Sequence, residues 1–444
     1  MKRFPTYIRY KDSGVEWLGE VPEGWDINKI KYSTYVKGRI GWQGLRSDEF
    51  VDIGPYLVTG TDFIRGKVNW DTCYHVSENR YKEDPYIHLR NSDLLITKDG
   101  SIGKIAIVEN LPDNATLNSG IFLTRCIDNT YITQYMFYLL NSDIFFSFID
   151  FKKAGSTISH LYQNVFVEFS YPQPPLPEQH AIATFLDRET ARIDALIEKK
   201  ERLIALLEEK RAALISHTVT KGLDPSVKMK DSGIEWLGMV PEGWGVHSLK
   251  TWWDVIDCKH LTAEYVDDGI PIVSTTEIKP GRINLENTRR TNEEFYSLLI
   301  EGRLPKRGDI IYSRNASLGS AAYIDTNEKF CMGQDVCLIT SKVQDQLFLT
   351  YLLNSKVILN QLNEVVVGST INRINVGQIK ELIVTCPPIE EQTHISQYLD
   401  KITINIDKIS DAIRKSIELL TEYRSTLISA AVTGKIDVRG AAAV

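Results

Sequence analysis

Two long segments of the chain repeat apolar residues at alternating steps of four and three, which predicts two amphipathic helices. The first segment runs from Pro177 to about His217 without a further Pro or Gly, and the second follows residue 389. An average period of 3.5 residues is typical of a coiled coil. Since neither helix could cover its apolar stripe alone, we expect the two helices to pair.

This spacing predicts which residues form the seam between the helices. In the first helix they are Ile182, Leu186, Ile193, Leu196, Leu203, Leu207 and Leu214, with Glu189, Lys200 and Lys210 at the remaining seam positions. In the second helix they are Ile395, Leu399, Ile402, Ile406, Ile409, Ile413, Leu420, Tyr423 and Leu427. A helix of about 40 residues is roughly 60 Å long. The alternative is two unrelated long helices that each pack on their own domain.

Internal repetition is the strongest signal in the sequence. Residues 11–25 read KDSGVEWLGEVPEGW, and residues 230–244 read KDSGIEWLGMVPEGW. The sequences Y-L-L-N-S, G-S-T-I and P-P-x-x-E-Q also occur twice in the same order. The chain therefore runs globular unit, helix, globular unit, helix. Since the frames agree while the middles differ, one scaffold presents two different surfaces.

These patterns predict an α+β fold. We expect two mixed, strand-rich domains separated by two long antiparallel helices that form a coiled coil, with an internal pseudo-twofold repeat. The predicted boundaries are 1–175 for the N-terminal domain, 176–222 for the first helix, 223–388 for the C-terminal domain, 389–435 for the second helix and 436–444 for a tail. Gly222 and Gly434 are expected to end the helices.

Local patterns predict elements within each domain. Leu94–Ile96 and Ile310–Tyr312 are short β-rich runs between turn residues, which predicts strands. Residues 131–148 and 347–362 are each predicted to form a helix. No run approaches the roughly 20 apolar residues of a membrane helix, and the N-terminus does not resemble a signal peptide. We therefore expect a cytoplasmic protein.

Candidate nucleic-acid contacts combine positive charge with aromatic or polar side chains, because cations bind phosphates and polar tips read base edges. The stretch from residue 31 to residue 46 contains no acidic residue. The candidates in the first domain are Lys31, Lys37, Arg39, Trp42, Gln43, Arg46, Lys98, Ser156 and Thr157. Those in the second are Arg282, Arg289, Arg290, Arg314, Asn315, Ser369 and Thr370. A solvated charged face explains either basic cluster equally well.

Lys98 and Arg314 occupy equivalent positions in the two repeats, just after a predicted strand and before a turn that contains glycine. Both are expected to be exposed, where they could contact phosphate or guanine. A solvated cation at a strand end explains either residue equally well. The net charge of −7 argues mildly against nucleic acid as a partner. Summed charge says little about one face, however, so a local basic footprint stays possible.

The sequence contains no recognisable catalytic site. It has no phosphate-binding loop, no nucleophile elbow, and its eight histidines and six cysteines lack metal-ligand spacing. The cysteines are expected to be small buried side chains. Asp93 beside Lys98 could imitate the metal site of a nuclease, but no partner carboxylate is identifiable. We therefore predict a non-catalytic chain that binds no metal.

The duplicated motifs resemble those of the specificity subunits of type I restriction-modification systems. The motifs are the doubled E-W-L-G-x-V-P-E-G-W, the doubled G-S-T-I and the doubled P-P-x-x-E-Q that opens each long helix, and together they cover nearly the whole chain. The resemblance implies two target-recognition domains that each read one half of a bipartite site in double-stranded DNA. It also implies that the helices act as a ruler between the half-sites.

The same resemblance implies protein partners. Two methyltransferase (modification) subunits would dock on the helices and flanking frames and methylate adenine using S-adenosylmethionine, a cofactor that this chain itself would not bind. Two motor-nuclease (restriction) subunits could also join. The competing hypothesis from another class of protein is a coiled-coil interaction scaffold that does not bind DNA, and a nuclease with a hidden site comes third.

Overall fold

The computed structural model describes residues 4–39, 45, 47–152, 160–315, 317–366 and 373–441. The chain forms two compact units, and each unit contains parts of both long helices. The first unit comprises residues 1–200 and 415–444, and the second comprises residues 201–414. Among the helices in the described ranges, none is long and apolar enough to cross a membrane.

The described part of the first repeat is a mixture of short strands and helices. Its strands are β1 (Tyr10–Asp12), β2 (Glu20–Pro22), β3 (Asp26–Lys29), β4 (Thr34–Gly38), β5 (Phe50–Val58), β6 (Phe63–Ile64), β7 (Lys67–Val68), β8 (Tyr74–Val76), β9 (Leu94–Thr97), β10 (Ile105–Ile107), β11 (Ala115–Leu117), β12 (Ile121–Cys126) and β13 (Ser170–Gln173). Its helices are α1 (Ile30–Ser33), α2 (Glu78–Lys82), α3 (Thr133–Leu140), α4 (Asp143–Lys152), α5 (Gln163–Phe166) and the long α6 (Leu176–Lys221).

The second repeat follows the same plan. Its strands are β14 (Met229–Asp231), β15 (Met239–Pro241), β16 (Gly245–Ser248), β17 (Asp254–Asp257), β18 (Ile270–Val273), β19 (Ile278–Lys279), β20 (Arg282–Ile283), β21 (Arg290–Thr291), β22 (Ile310–Ser313), β23 (Ala321–Tyr323), β24 (Cys331–Met332), β25 (Val336–Thr340) and β26 (Ile383–Cys386). Its helices are α7 (Glu293–Ile300), α8 (Gln346–Leu353), α9 (Lys356–Val366), α10 (Val376–Lys380) and the long α11 (Ile389–Val432).

The central sheets of the two domains have the same order over four equivalent strands. The first runs β4-β12-β9-β10-β7-β6, and the second runs β17-β25-β22-β23. A smaller sheet accompanies each and contains one parallel pair, β11 with β5 in the first domain and β18 with β24 in the second. The mixed sheets and helices confirm the predicted α+β fold.

The strand β9 explains why the run Leu94–Ile96 is apolar without alternation. Leu94 and Ile96 belong to the core beneath helices α3 and α4, whereas Leu95 points into a second core on the other face of the sheet. A strand covered on both faces reads as a continuous apolar run. Ile310–Tyr312 behaves in the same way in the second domain, where Ile311 lies in a separate core from its two neighbours.

The helices predicted over residues 131–148 and 347–362 are each broken in two, so the prediction of single helices is wrong. The break falls at the repeated Asn-Ser pair. The Asn141 side-chain amide donates to the carbonyl of Phe137 at 2.8 Å, and the Ser142 hydroxyl donates to the carbonyl of Leu139. Asn and Ser side chains compete in this way for backbone groups and so end helices.

Each long helix is anchored at its start by the repeated P-P-x-x-E-Q sequence. The Gln179 amide donates to the carbonyl of Pro174 at 2.8 Å and accepts from the backbone N–H of Ile132 at 3.0 Å. Gln392 donates in the same way to Pro387 at 2.8 Å. The buried glutamine therefore ties the helix start to its domain.

The glycines predicted to end the helices do so. The helices end at Lys221 and Val432, and Gly222 and Gly434 follow with φ angles of +78° and +71°. This left-handed conformation carries no Cβ penalty in glycine, which is why helix ends favour it.

Most of the predicted seam lies inward. Buried residues of the predicted set are Ile182, Leu186, Ile193, Ile395, Leu399, Ile406, Ile413 and Leu427, and half-buried ones are Leu207, Leu214, Ile402, Leu420 and Tyr423. The prediction is wrong for Leu196, Leu203 and Ile409, which are 44%, 45% and 49% exposed. Their neighbours Ile197, Ile204 and Ser410 lie inward instead.

The error has a physical cause at the start of each helix. Thr190, rather than Glu189, faces the domain because the Tyr138 hydroxyl lies 3.2 Å from the Thr190 hydroxyl. The equivalent Tyr351 and Thr403 hydroxyls lie 3.1 Å apart. After Thr190 and Thr403 the inward-facing residues follow at steps of three and then four residues, whereas the prediction had four and then three. Every second inward-facing residue therefore lies one position later than predicted.

Ion pairs join the two long helices within each unit. In the first unit Arg424 pairs with Asp194, with a nitrogen–oxygen distance of 2.9 Å. In the second unit Arg211 pairs with Asp407 at 2.7 Å, and Arg414 lies 3.9 Å from Glu208. Since higher numbers in one helix meet lower numbers in the other, the helices are antiparallel.

Candidate DNA-recognition interface

Lys98 and Arg314 are held in the same backbone frame at the ends of β9 and β22. Lys98 donates its backbone N–H to Gly120 at 2.8 Å and accepts from the N–H of Leu161 at 2.8 Å. Arg314 donates to Asp335 at 2.9 Å and accepts from Ile374 at 2.9 Å. The frame is therefore duplicated down to its backbone hydrogen bonds.

The expectation that these two cations are exposed is wrong. Lys98 is 8% exposed and Arg314 is 4% exposed. Strands pair on both sides of each strand end, and the chain that returns at Leu161 or Ile374 covers it. The two side chains nevertheless meet different surroundings.

Arg314 is neutralised within its own domain. Its guanidinium forms an ion pair with Asp257, and its Nε donates to the carbonyl of Ile374 at 3.2 Å. His260 also lies 3.3 Å from the same carboxylate. A buried arginine with two partners fixes local structure, so Arg314 has a structural role.

The strand register shows which residue of the first domain occupies the position that Asp257 occupies beside Arg314. In the first domain Gly38 lies opposite Phe122 on β12, and Phe122 lies opposite Ile96, two residues before Lys98. A Cβ added to Gly38 would lie 3.5 Å from the Lys98 ammonium.

The same register in the second domain places an acid at this point. Asp257 lies opposite Cys337, and Cys337 lies opposite Tyr312, two residues before Arg314. Gly38 in the first domain and Asp257 in the second therefore occupy equivalent positions. A glycine replaces the neutralising carboxylate where the cation is lysine.

The Lys98 ammonium makes no ion pair with any residue that the structure describes. It lies 5.1 Å from the centre of the Phe122 ring. Burial lowers the pKa of Lys98, and the nearby Asp99 only partly opposes this effect. A buried cation without an ion-pair partner is costly unless an anion approaches.

Asn315 lies in a second charged group in the C-terminal domain. Its side-chain amide is 3.4 Å from an Asp335 carboxylate oxygen, and Arg373 pairs with the other oxygen at 2.7 Å. The first domain has Gly120 where the second has Asp335. The second domain thus has a carboxylate at two positions, those of Asp257 and Asp335, where the first domain has glycine.

The other candidates of the first domain differ in availability. Lys31 pairs with Glu168 at 2.9 Å, so its charge is balanced. Arg39 is 1% exposed and donates to the carbonyl of Leu117 at 2.9 Å, which makes it a structural residue. Lys37 is exposed and lies 5.8 Å from the centre of the Tyr86 ring.

In the second domain Arg289 and Arg282 are exposed. Arg289 lies 4.8 Å from the centre of the Tyr265 ring, and Tyr265 is itself 50% exposed. Arg290 is half-buried and donates to the carbonyl of Gly269 at 2.7 Å. Arg289 and Arg282 are therefore the cations of this cluster that face solvent.

Two exposed tyrosines that lie beside cations were not predicted from the sequence. Tyr86 is 67% exposed next to Lys37, and Tyr265 accompanies Arg289. Exposed aromatic rings beside cations suit contacts to nucleic-acid bases and phosphates. No local pattern could have revealed these pairs, since their members are far apart in the sequence.

Several candidates lie outside the described residues, namely Trp42, Gln43, Arg46, Ser156, Thr157, Ser369 and Thr370. The described residues that follow the two G-S-T-I sequences pair with the strand ends. His160 forms an antiparallel backbone β-bridge with Asp99, and Arg373 forms one with Asn315. The repeated motif is thus followed in each domain by a strand-end contact.

Asp93 is a structural residue in this fold. Its carboxylate pairs with Arg125 and accepts from the backbone N–H of Arg90 at 2.6 Å. Within the described ranges no group of three or more metal-ligating side chains occurs. Of the six cysteines, five are buried and Cys126 is half-buried, and all are free thiols.

The duplicated sheets, strand ends and long helices define a protein built from two copies of one scaffold. Residues 47–206 and 241–419 both match the family model for the type I restriction modification DNA specificity domain. The chain therefore belongs to the type I restriction-modification DNA specificity family.

Relatives cover nearly the whole chain. It is 25% identical to the type I restriction enzyme MjaVIII specificity subunit of Methanocaldococcus jannaschii, over 94% of both chains. It is 20% identical to the EcoKI specificity subunit of Escherichia coli K12, over 95% of this chain and 91% of that one.

Solved structures share the fold. A chain from a study of complex assembly and conformational transition in a type I R-M system matches with a TM-score of 0.65 and 18% identity, over 94% of this chain and 99% of that one. The HsdS subunit of Thermoanaerobacter tengcongensis matches with a TM-score of 0.53 and 17% identity, over 94% and 98%.

Proposed function

We propose that each domain of this chain reads one half of a bipartite DNA site. The observation that carries the proposal is the duplicated strand-end frame with different side chains around it. Lys98 faces Gly38 in one domain, whereas Arg314 faces Asp257 in the other. Two copies of one backbone with different chemistry suit two half-sites of different sequence.

The long helices set the distance between the half-sites. They have 46 and 44 residues without a break, so each is about 65–70 Å long at 1.5 Å per residue. Within each unit the two helices pair in antiparallel fashion and are joined by ion pairs. A rigid spacer of fixed length fits a DNA site with a fixed unspecified gap.

The helices also dock two methyltransferase subunits. Supporting this, apolar side chains face solvent at equivalent positions of both helices. Leu196 and Ile409 are 44% and 49% exposed, and Leu206 and Leu419 are 49% and 55% exposed. Exposed apolar residues at equivalent positions of both helices fit contacts to two copies of one partner. Motor-nuclease subunits join the same assembly.

Methyl transfer to adenine belongs to the partner subunits, which bind S-adenosylmethionine. The chain supplies recognition and no catalytic group. Its net charge of −7 is compatible with DNA binding because much of its surface faces protein and because the methyltransferases contribute phosphate contacts.

Methylome sequencing of a host that expresses this chain with its methyltransferase tests the proposal. The expected result is methylated adenine in one bipartite motif with a constant gap, and no methylation when either gene is omitted. Salt-dependent binding of the purified complex to that motif should accompany it. A complex that methylates no bipartite motif would contradict the proposal.

A further inference from the structure

The ends of strands β4 and β17 carry different charges at equivalent positions. Gly38 and Asp257 are equivalent in the strand register, so residues 37–39 align with residues 256–258. The first triplet reads Lys-Gly-Arg, and the second reads Ile-Asp-Cys. The first domain therefore has two positive charges where the second domain has one negative charge, although the backbone frame is repeated.

Two cations near the end of β4 are buried without an ion pair. Lys98 is 8% exposed, and its ammonium forms no hydrogen bond or ion pair with a residue in the described ranges. Arg39 is 1% exposed and donates to neutral groups, namely the carbonyl of Leu117 at 2.9 Å and the hydroxyl of Thr116 at 3.3 Å. Lys37 is exposed on the same strand. Positive charge is thus left without a paired carboxylate at this point of the fold.

The carboxylate that follows Lys98 in the chain already has another partner. Asp99 forms an ion pair with His160, and the two residues also share a backbone β-bridge. The Asp99 side chain is 43% exposed, so much of its charge is screened by solvent. Asp99 therefore does not replace the buried carboxylate that Asp257 provides beside Arg314.

Gly38 leaves a space beside the Lys98 ammonium. A Cβ at this position would lie 3.5 Å from the ammonium nitrogen and 2.9 Å from the carbonyl oxygen of Ile121, so a side chain would fill the space. Gly38 is only half-buried. In the second domain Asp257 occupies the equivalent position and pairs with Arg314. We call the space between Gly38 and the Lys98 ammonium the Gly38 recess.

A fully charged anion is the ligand that suits the Gly38 recess. An unpaired buried ammonium is costly, and an anion that reaches it forms a short, charge-assisted hydrogen bond. The O6 and N7 atoms of guanine are neutral acceptors, so they would leave the charge uncompensated. The DNA backbone carries a negative charge at every phosphate. The recess therefore favours a phosphodiester group over a base edge.

We propose that the Gly38 recess binds one phosphodiester group of the half-site read by the first domain, with Lys98 as its direct ligand. The second domain has no equivalent contact, because Asp257 supplies the anion from within the protein. The inference rests on the proposed function and adds the position, Gly38 or Asp257, that decides whether the strand-end cation is available to DNA. The two half-sites are thus held by different backbone contacts.

Uncharged backbone linkages test the recess in the complex of the full chain with its methyltransferase. Duplexes carrying the methylated motif would have one phosphate at a time replaced by a methylphosphonate, and fluorescence anisotropy would measure binding. One replacement in the first half-site should weaken wild type at least about tenfold, as expected when a hydrogen bond between charged groups is lost. Lys98→Met should bind the unmodified duplex more weakly by a similar factor and should be insensitive to that one replacement.

Substitution of Gly38 tests the recess while Lys98 stays in place. Gly38→Asp introduces the carboxylate of the second domain, so it should weaken DNA binding and remove the sensitivity to the same methylphosphonate. Gly38→Asn is the matched control, because it adds nearly the same shape without the charge and should keep that sensitivity. The added Cβ lies 2.9 Å from the Ile121 carbonyl oxygen in both variants, so both should lose similar stability in thermal unfolding.

Arg314→Met is the comparison in the second domain, and it should stay sensitive to every methylphosphonate that affects wild type. The inference is overturned if Lys98→Met also stays sensitive to all of them, if Arg314→Met becomes insensitive to one, or if folded Gly38→Asp keeps the sensitivity. Insensitivity of Lys98→Met to 7-deazaguanine instead would assign Lys98 to a base and would also overturn it. Failure of the wild-type complex to bind the unmodified duplex would refute the proposed function.

Discussion

The indole nitrogen of Trp25 donates a hydrogen bond of 3.1 Å to the carboxylate of Glu178 in the first turn of the long helix α6. Trp25 is 1% exposed, so this contact links a buried side chain just after strand β2 to the helix. Tyr7 donates to the same carboxylate at 2.5 Å. The second repeat keeps the indole–carboxylate contact between Trp244 and Glu391.

Trp25→Phe should therefore destabilise the first unit. The substitution removes a hydrogen bond to a charged group, which typically costs about 1.5–3 kcal/mol, and the smaller ring leaves a cavity that adds to this cost. Urea unfolding of the purified chain measures the effect. Trp244→Phe should give a similar loss. Unchanged unfolding free energies in both variants would show that the contact contributes nothing to stability.

Substitution of Lys98 should affect DNA binding, whereas substitution of Arg314 should affect stability. Lys98→Met should weaken DNA binding and reduce the slope of log affinity against log salt by about 0.9, as expected for one lost phosphate contact. Its stability should not fall, because it removes a buried cation without an ion pair. Fluorescence anisotropy over a salt series gives the slope, and an unchanged slope would remove Lys98 from the interface.

Arg314→Met is the matched comparison. It leaves the Asp257 carboxylate without its arginine, and losing a hydrogen bond to a charged group costs about 1.5–3 kcal/mol of stability. The salt dependence of DNA binding should stay at the wild-type value. A reduced salt slope with unchanged stability would show that Arg314 contacts DNA.

The helix seam can be tested with neighbouring isoleucines of α11. Ile406→Ala should destabilise the second unit by about 2–4 kcal/mol, because Ile406 is 6% exposed and the substitution leaves a cavity. Ile409→Ala should change stability by less than about 0.5 kcal/mol, because Ile409 is 49% exposed. Thermal unfolding distinguishes them, and equal effects would contradict the inward positions found here.

The two domains should be separable readers. Replacing residues 25–170 with the same region of a relative should change one half of the methylated motif and leave the other half and the gap unchanged. The reason is that each domain has its own cores and strand-end frame. Methylome sequencing gives the motif, and a change in both half-sites would refute modular reading.

Lengthening the helix pair should lengthen the gap. Seven residues inserted after Leu206, with seven more after Ala412 in the facing part of α11, add about 10 Å of helix and keep the apolar repeat. The gap should grow by about three base pairs at roughly 3.4 Å each. Two-residue insertions should instead rotate the stripe and abolish activity. An unchanged gap with full methylation would show that the helices are not the ruler.

The sequence by itself determined the duplicated architecture. A run of 3.5-residue periodicity without Pro or Gly predicts a long helix because its information is local, and α6 and α11 confirm it. The glycines that end both helices follow from backbone sterics alone. Strands β9 and β22 could also be predicted from their continuous apolar runs, because strands buried on both faces need apolar side chains throughout.

Only the tertiary structure decided which side chains turn inward and which cations stay available. The 3.5-residue repeat fits two sets of positions one residue apart, and packing of Tyr138 on Thr190 selects between them. Likewise, Lys98 and Arg314 look alike in sequence. Their difference depends on Gly38 and Asp257, which lie about 60 residues away and meet them only through strand pairing. Burial and charge neutralisation are properties of non-local neighbours, so no local pattern could have supplied them.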